Sequence, residues 1–61
     1  MSIELHELVV ALKPETFIVV YKGTEELIRD SVANIEDLQG YHHNHIVNIR
    51  RILGSLVIDI E

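Results

Sequence analysis

The sequence predicts an α+β fold: an N-terminal helix packed on a four-stranded antiparallel sheet, with a short helical turn between strands 2 and 3. Two observations lead to this prediction. Residues 3–12 carry apolar side chains at helical spacing. Most of the remaining apolar residues are Ile, Val and Leu in short runs, and β-branched residues favour strands.

The size of the chain limits what it can be. Its 61 residues are expected to form a single small domain, residues 1–61. Such a domain buries only about 60% of the surface that its unfolded chain exposes, so its stability is marginal. Because the chain has no cysteine, neither disulfides nor thiolate metal sites can add stability. Good packing, oligomerisation or a metal with other ligands must compensate.

The charge balance is acidic, with ten Asp and Glu residues against five Lys and Arg and a formal net charge of −5. This charge disfavours direct binding to nucleic acid or to anionic membranes, because both attract basic residues. It favours long-range attraction to a basic protein. The first residues do not resemble a signal peptide, and no apolar run approaches the ~20 residues of a membrane span. We therefore expect a cytoplasmic protein.

The helix is predicted over residues 3–12. Ser2 is the expected N-cap, and Pro14 prevents continuation. The apolar positions fall at i, i+3, i+4 and i+7 and so share one face: Leu5, Leu8, Val9 and Leu12.

The clearest strand covers residues 16–21, which are almost all β-branched or aromatic. Both of its faces are apolar, so the strand needs cover on both sides. A turn is expected over residues 22–24. One face of the strand carries Phe17, Val19 and Tyr21, and the other carries Ile18 and Val20.

Residues 25–38 allow two interpretations. In the first they form one helix capped by Thr24. In the second, residues 26–32 return as a strand beside the first one, and a short helical turn follows around residues 35–38. We favour the strand, because the first strand needs a neighbour and a hairpin supplies one at short range.

Two further strands are predicted at residues 46–52 and 56–60, joined at Leu53-Gly54. A two-residue loop there sets a register in which apolar and polar faces both match. A type II turn or a bulged loop is the alternative, because Leu disfavours positive φ. The expected pairs are Ile49 with Ile58, Val47 with Ile60, and Asn48 with Asp59.

One helix can cover only one face of this sheet. We expect Ile18 and Val20, with part of the second hairpin, to stay exposed and to form an interface. An uncovered apolar patch of a few hundred Å² usually marks such a contact. The expected partner is a second copy of the chain, as a homodimer, or another protein.

Three of the four histidines lie close together, and His42, His43 and His45 are candidate ligands for Zn²⁺, Ni²⁺ or Cu²⁺. His6, or a carboxylate such as Glu36 or Asp37, could complete the site. We favour a polar loop without metal, because neighbouring histidines seldom converge on one ion without a fixed outer shell. A third possibility is that the rings gain charge together at about pH 6 and loosen an interface.

The charged residues give two more candidates. Arg50-Arg51 is the basic doublet, which could contact phosphate or an acidic partner; pairing with Asp59 and neighbouring acids is the favoured interpretation. The acidic residues could form a face that imitates nucleic acid, although a solvated face that aids solubility is favoured. These acids are Glu25, Glu26, Asp30, Glu36 and Asp37.

Three segments resemble small uncharacterised α+β proteins encoded by phages and mobile elements of Gram-positive bacteria. They are residues 17–21, 31–35 and 56–60, although a glycine often stands in those proteins where this chain has Ser31. The resemblance implies a four-stranded sheet and an accessory role, and no activity.

No catalytic residue and no cofactor are predicted, because the sequence shows neither a nucleophile elbow nor a glycine-rich phosphate loop. The expected function is that of a non-enzymatic protein-interaction domain that self-associates. One alternative is an acidic inhibitor of a basic host protein. The other is a histidine-based transition-metal site.

Overall fold

The computed structural model of the protein describes residues 3–35 and 37–61. A short helix, α1 (Leu5–Val9), comes first. The strands are β1 (Phe17–Lys22), β2 (Glu25–Ser31), β3 (Ile46–Ile52) and β4 (Ser55–Ile60), and 3₁₀ turns at Val32–Asn34 and Asp37–Gly40 lie between β2 and β3. All four strands belong to one sheet in the order β2-β1-β4-β3. No helix in these two ranges is long and apolar enough to cross a membrane.

The sheet is mixed, so the predicted antiparallel sheet is wrong. Each hairpin is antiparallel, as expected, but β1 and β4 run parallel where the hairpins meet. The burial pattern explains this order. Strands β1 and β4 have consecutive buried residues, which need cover on both faces, whereas every residue of β3 after the first is exposed. The sheet therefore places β1 and β4 at its centre and β3 at an edge.

The helix is half as long as predicted, and the domain is nearly all β rather than a helix packed on a sheet. Helix α1 has five residues and begins after Glu4 instead of Ser2. Glu4 forms an isolated antiparallel bridge with His45, and this extended pairing excludes Glu4 from the helix. An isolated helix shorter than about 12 residues is marginal in water, so tertiary contacts decide its length.

The favoured interpretation of residues 25–38 is confirmed in outline. Strand β2 pairs with β1, and a bulge at Leu27 shifts the register between Val20 and Tyr21. The helical turn predicted around residues 35–38 is displaced: Ile35 has extended backbone, and the 3₁₀ turns lie at Val32–Asn34 and Asp37–Gly40. Within the second, Leu38 and Gln39 have left-handed backbone with φ of 44° and 51°. Such backbone costs about 1–2 kcal/mol per non-glycine residue, and burial of the Leu38 side chain offsets it.

The second hairpin confirms most of the predicted register. Ile49 lies opposite Ile58, and Asn48 lies opposite Asp59. Val47 does not lie opposite Ile60, because a bulge there leaves Ile46 as the partner of Ile60. Leu53 and Gly54 both have positive φ, 49° and 83°, the pattern of a type I′ turn. This turn matches the twist of the strands, so the hairpin tolerates a strained leucine.

The core lies on one face of the sheet, and the expected exposure of Ile18 and Val20 is wrong. Both side chains are completely buried. The short helix and the turns cover this face, together with the loop residues that pack against them. The core cluster consists of Leu5, Ile18, Val20, Ile28, Leu38, Ile58 and Ile60.

The opposite face is the one left without a covering layer. At its centre Val19 and Val57 are only 4% and 7% exposed. Their neighbours in the sheet register are Arg29 and Arg50, whose aliphatic stems can shield the valines while the charged ends stay in water. Strand and turn residues line a shallow depression of about 610 Å³ on this face. It is an open surface rather than an enclosed cleft.

Candidate functional site

The outer edge of β3 is only partly covered. The backbone N–H of Ile46 donates to the carbonyl of Ile3, and that of Leu5 donates to the carbonyl of Asn44, both at 2.8 Å. These bonds flank the bridge between Glu4 and His45. The N-terminal segment therefore covers the start of this edge, and within the described ranges the segment from Val47 onward has no strand beside it.

This uncovered segment carries most of the exposed large apolar side chains. Val47, Ile49 and Ile52 are 62%, 42% and 49% exposed, and Leu53 at the turn is completely exposed. Among the described residues only Ile3 and Val10 also belong to this class. An uncovered strand edge that is also apolar is a typical site for pairing with another chain. We call residues 47–53 the β3 edge.

The other edge of the sheet, on β2, is protected. Its exposed residues include Glu25, Glu26 and Arg29. The Nε and Nη2 atoms of Arg29 donate to Oε1 of Glu26 at 2.9 and 2.6 Å. Charged side chains and the bulge at Leu27 are devices that discourage further strand pairing. The acidic residue at the end of the strand, Asp30, accepts bonds from Ser31 N–H and Asn34 Nδ2 at 2.7 and 3.2 Å.

The predicted pairing of Arg50 with Asp59 is confirmed. Arg50 Nη2 donates to Asp59 Oδ1 at 3.1 Å across the second hairpin. Arg51 lies opposite Leu56 in the register and so belongs to the other face of the sheet. The basic doublet is thus divided between two faces, which argues against its acting as one phosphate-binding unit.

The structure assembles a histidine cluster, but with different members from those predicted. Glu4 Oε1 accepts hydrogen bonds from His6 Nε2 at 2.9 Å and from His43 Nδ1 at 2.8 Å. The rings of His6 and His43 meet edge to face with centroids 5.3 Å apart. We call Glu4, His6 and His43 the Glu–His cluster.

Of the three predicted ligands, His43 alone joins this cluster. The His42 ring is 4.5 Å from that of His43, centroid to centroid, but His42 and His45 are not among the clustered ligand atoms. Glu36 and the side chain of Asp37, named as possible further ligands, lie outside the described residues. His6 was correctly named as a possible member, and Glu4 was missed. It is 39 positions from His43, and no sequence pattern signals that pairing.

The cluster and the β2 ion pair both affect side-chain ionisation. Hydrogen bonds from His43 and then His6 lower the pKa of Glu4, because they stabilise its carboxylate. The hydrogen bonds from Arg29 lower the pKa of Glu26 in the same way, and Glu26 in turn raises the pKa of Arg29.

No protein-family model, curated protein or solved structure matches this chain. The fold defines the molecule as a small, mostly β domain built on a mixed four-stranded sheet. Its function must therefore be argued from the β3 edge and the Glu–His cluster.

Proposed function

We propose that this protein is a non-enzymatic interaction domain that self-associates through the β3 edge. The observation that supports this is the coincidence, on one strand, of an uncovered backbone edge with exposed Val47, Ile49 and Ile52. Unpaired N–H and C=O groups provide the hydrogen bonds for an added strand, and the alternating side chains provide the specificity. The other edge, on β2, lacks this combination.

A second copy of the chain is a suitable partner, because β3 can pair with itself about a two-fold axis. An antiparallel pairing centred on Ile49 places the two Ile49 side chains opposite each other. It also places Arg51 opposite Val47 and Arg50 opposite Asn48. A pairing centred on Arg50 would bring like charges together, which is unfavourable. The proposed register therefore combines apolar contact with separation of the arginines.

Size also supports association. The chain has 61 residues and no cysteine, so it depends on a small core without covalent cross-links. Joining two sheets edge to edge would extend the sheet and remove apolar surface from water. Oligomerisation is one of the recurrent ways in which domains of this size gain stability.

The experiment is size-exclusion chromatography with light scattering over a dilution series from millimolar to micromolar chain concentration. We expect a dimer that dissociates on dilution. Ile49→Lys places a charge in the middle of the β3 edge and should give a monomer at every concentration. Val10→Lys is the matched control, because Val10 is 82% exposed and lies outside the sheet. It should leave the dimer intact.

Two results would contradict the proposal. One is a wild-type protein that stays monomeric at millimolar concentration. The other is an Ile49→Lys variant that dimerises as well as Val10→Lys does.

For the biological setting, we propose an accessory role in a phage or mobile element. The resemblance of residues 17–21, 31–35 and 56–60 to proteins of phages and mobile elements supports an accessory role in such an element. The alternative of an acidic inhibitor has less support, because Glu26 and Asp30 are already engaged within the chain. A pull-down from bacterial lysate at low and high salt would test it, since binding to a basic protein should weaken as salt rises.

A further inference from the structure

We propose that Glu4, His6 and His43 bind a divalent transition-metal ion of the zinc class, which fastens the N-terminal segment to the loop before β3. This inference is independent of dimerisation through the β3 edge.

The backbone brings the three residues together without help from their side chains. Leu5 N–H donates to the Asn44 carbonyl at 2.8 Å, and His6 N–H donates to the His42 carbonyl at 3.0 Å. The residue between these two contacts on the loop is His43. The side chains of the cluster are thus held at one place by main-chain pairing, which gives the site a preformed scaffold.

The donor set is suited to zinc. One carboxylate oxygen and two imidazole nitrogens lie within 4.8 Å of one another. Carboxylate with imidazole is a common zinc donor set, with bonds of about 2.0–2.2 Å and a fourth position open to water. Imidazole also binds nickel, copper and iron, so these ligands indicate a divalent transition metal without selecting zinc over the others.

The two contacts of Glu4 need only small changes, and the two ring nitrogens, which lie within 4.8 Å of each other, must reach the same tetrahedral spacing. Tetrahedral bonds of this length place ligand atoms about 3.3 Å apart. The two contacts of Glu4 to His6 and His43 are 2.9 and 2.8 Å, so each must lengthen by about half an ångström on that geometry. The side chains of His6 and His43 are 46% and 74% exposed and have room to move.

The proton balance also permits binding. In the hydrogen-bonded arrangement His6 Nε2 and His43 Nδ1 carry protons that they donate to Glu4. For each ring to ligate through the same nitrogen, its proton must move to the other nitrogen, a change of tautomer that leaves the ring neutral. Glu7 Oε1 accepts the Glu4 N–H at 2.8 Å and so helps to fix the backbone that carries the carboxylate ligand.

The ion would link two segments that are far apart in the sequence. Residues 3–5 contact residues 44–46, just before the β3 edge, so a metal that fixes them also holds this contact in place. Metal binding to the folded state alone raises the free energy of unfolding, and this chain has no disulfide to do the same.

The experiment is calorimetric titration of the untagged chain with zinc chloride at neutral pH, in a buffer that does not chelate metals. We expect one ion per chain, a dissociation constant in the micromolar range and a higher melting temperature with zinc. His43→Ala and Glu4→Gln should each weaken binding by at least about tenfold. His45→Ala is the matched control, because His45 is exposed in the same loop and lies outside the cluster. It should keep the wild-type affinity.

A second measurement keeps the test decisive if a variant is unstable. Titration with cobalt(II) should give the intense visible absorption of a four-coordinate ion in the wild type and in His45→Ala, and the weak spectrum of the hydrated ion in His43→Ala. The proposal is overturned if zinc binds no more tightly than millimolar, or if His45→Ala loses as much affinity as His43→Ala. One ion per two chains would also overturn it, since the ligands would then come from different copies.

Discussion

The two edges of the sheet are protected against pairing with another strand to different extents. Strand β2 protects its outer edge with Glu25, with the Glu26–Arg29 ion pair and with a bulge at Leu27. Strand β3 also has a bulge, at Val47, but exposes apolar side chains along the edge beyond it. Because an edge strand offers unpaired backbone groups, protecting one edge alone directs association to the other. The β3 edge is therefore the one that fits the proposed self-association, and the β2 edge is the one that resists strand pairing.

The largest expected effect is a loss of folding stability at Ile58 of the central strand β4, compared with its cross-strand partner Ile49 on the β3 edge. Ile58 is fully buried, whereas its partner Ile49 is 42% exposed. Ile58→Ala should lower the free energy of unfolding by about 2–5 kcal/mol, because it leaves a cavity in the core. Ile49→Ala should cost the monomer much less. Urea denaturation at low micromolar concentration, where the proposed dimer would be dissociated, measures both.

If Ile58→Ala does not fold, Ile58→Val provides the comparison, with an expected loss of about 0.5–1.5 kcal/mol. Equal losses of unfolding free energy at Ile49 and Ile58 would show that the β3 edge is as well packed as the centre of the sheet. That result would contradict the proposed difference between the two regions.

The next effect concerns the two hairpin turns. The first turn uses Gly23 at φ 65°, where glycine is unstrained, while the second uses the fully exposed Leu53 at φ 49°. Left-handed backbone costs a leucine about 1–2 kcal/mol, and asparagine tolerates it better. Leu53→Asn should therefore raise the free energy of unfolding by up to about 1 kcal/mol. Thermal denaturation of the monomer measures it.

Gly23→Ala is a control in which the expected change in stability has the opposite sign to that of Leu53→Asn. No atom lies within 4 Å of an added Cβ, so only the positive φ opposes the change. It should destabilise the domain by about 1 kcal/mol, since alanine is strained there. A destabilised Leu53→Asn variant would mean that the Leu53 side chain contributes contacts that outweigh its backbone strain.

The smallest effect is expected at the protected edge and depends on pH. Arg29 lowers the pKa of Glu26 in the folded state below its usual value of 4.5. The ion pair therefore adds stability above pH 4.5, and this contribution is lost as the pH falls through the lower, folded value. Glu26→Gln should be slightly less stable than the wild type at neutral pH, and the gap should close in acid. Urea denaturation over a pH series measures this gap.

Glu25→Gln is the control for net charge, because Glu25 is exposed on the same strand and forms no ion pair with any residue that the structure describes. A gap for Glu26→Gln that stays constant down to the lowest pH would contradict an electrostatic role for the pair.

Within the second hairpin, the sequence was sufficient to predict the position of the turn and most of the register. The loop at Leu53-Gly54 and the pairing of Ile49 with Ile58 follow from turn chemistry and from the need to keep apolar residues on one face. The bulge at Val47 was not predictable in this way. It lies where the N-terminal segment pairs with the outer edge at His45 and Ile46, and that contact is not local.

The candidate sites show the same division. Val47 and Ile49 were recognised as apolar strand residues, but their exposure depends on β3 lying at an edge instead of beside β1. The sequence pointed to His43 and His6 as members of a histidine cluster, and both belong to it. Glu4 was missed, because only the pairing of two distant segments brings its carboxylate to that ring.

By itself, then, the sequence predicted where the strands and the two hairpin turns lie and most of the pairing inside the second hairpin, since these depend on side chains a few positions apart. The tertiary structure decided that β4 lies parallel to β1, that Ile18 and Val20 are buried, and that Glu4 meets His6 and His43. These outcomes depend on which strands need cover on both faces and on contacts between residues that lie far apart in the sequence. Which strands occupy the buried centre of the sheet is decided only by the packing of the complete core.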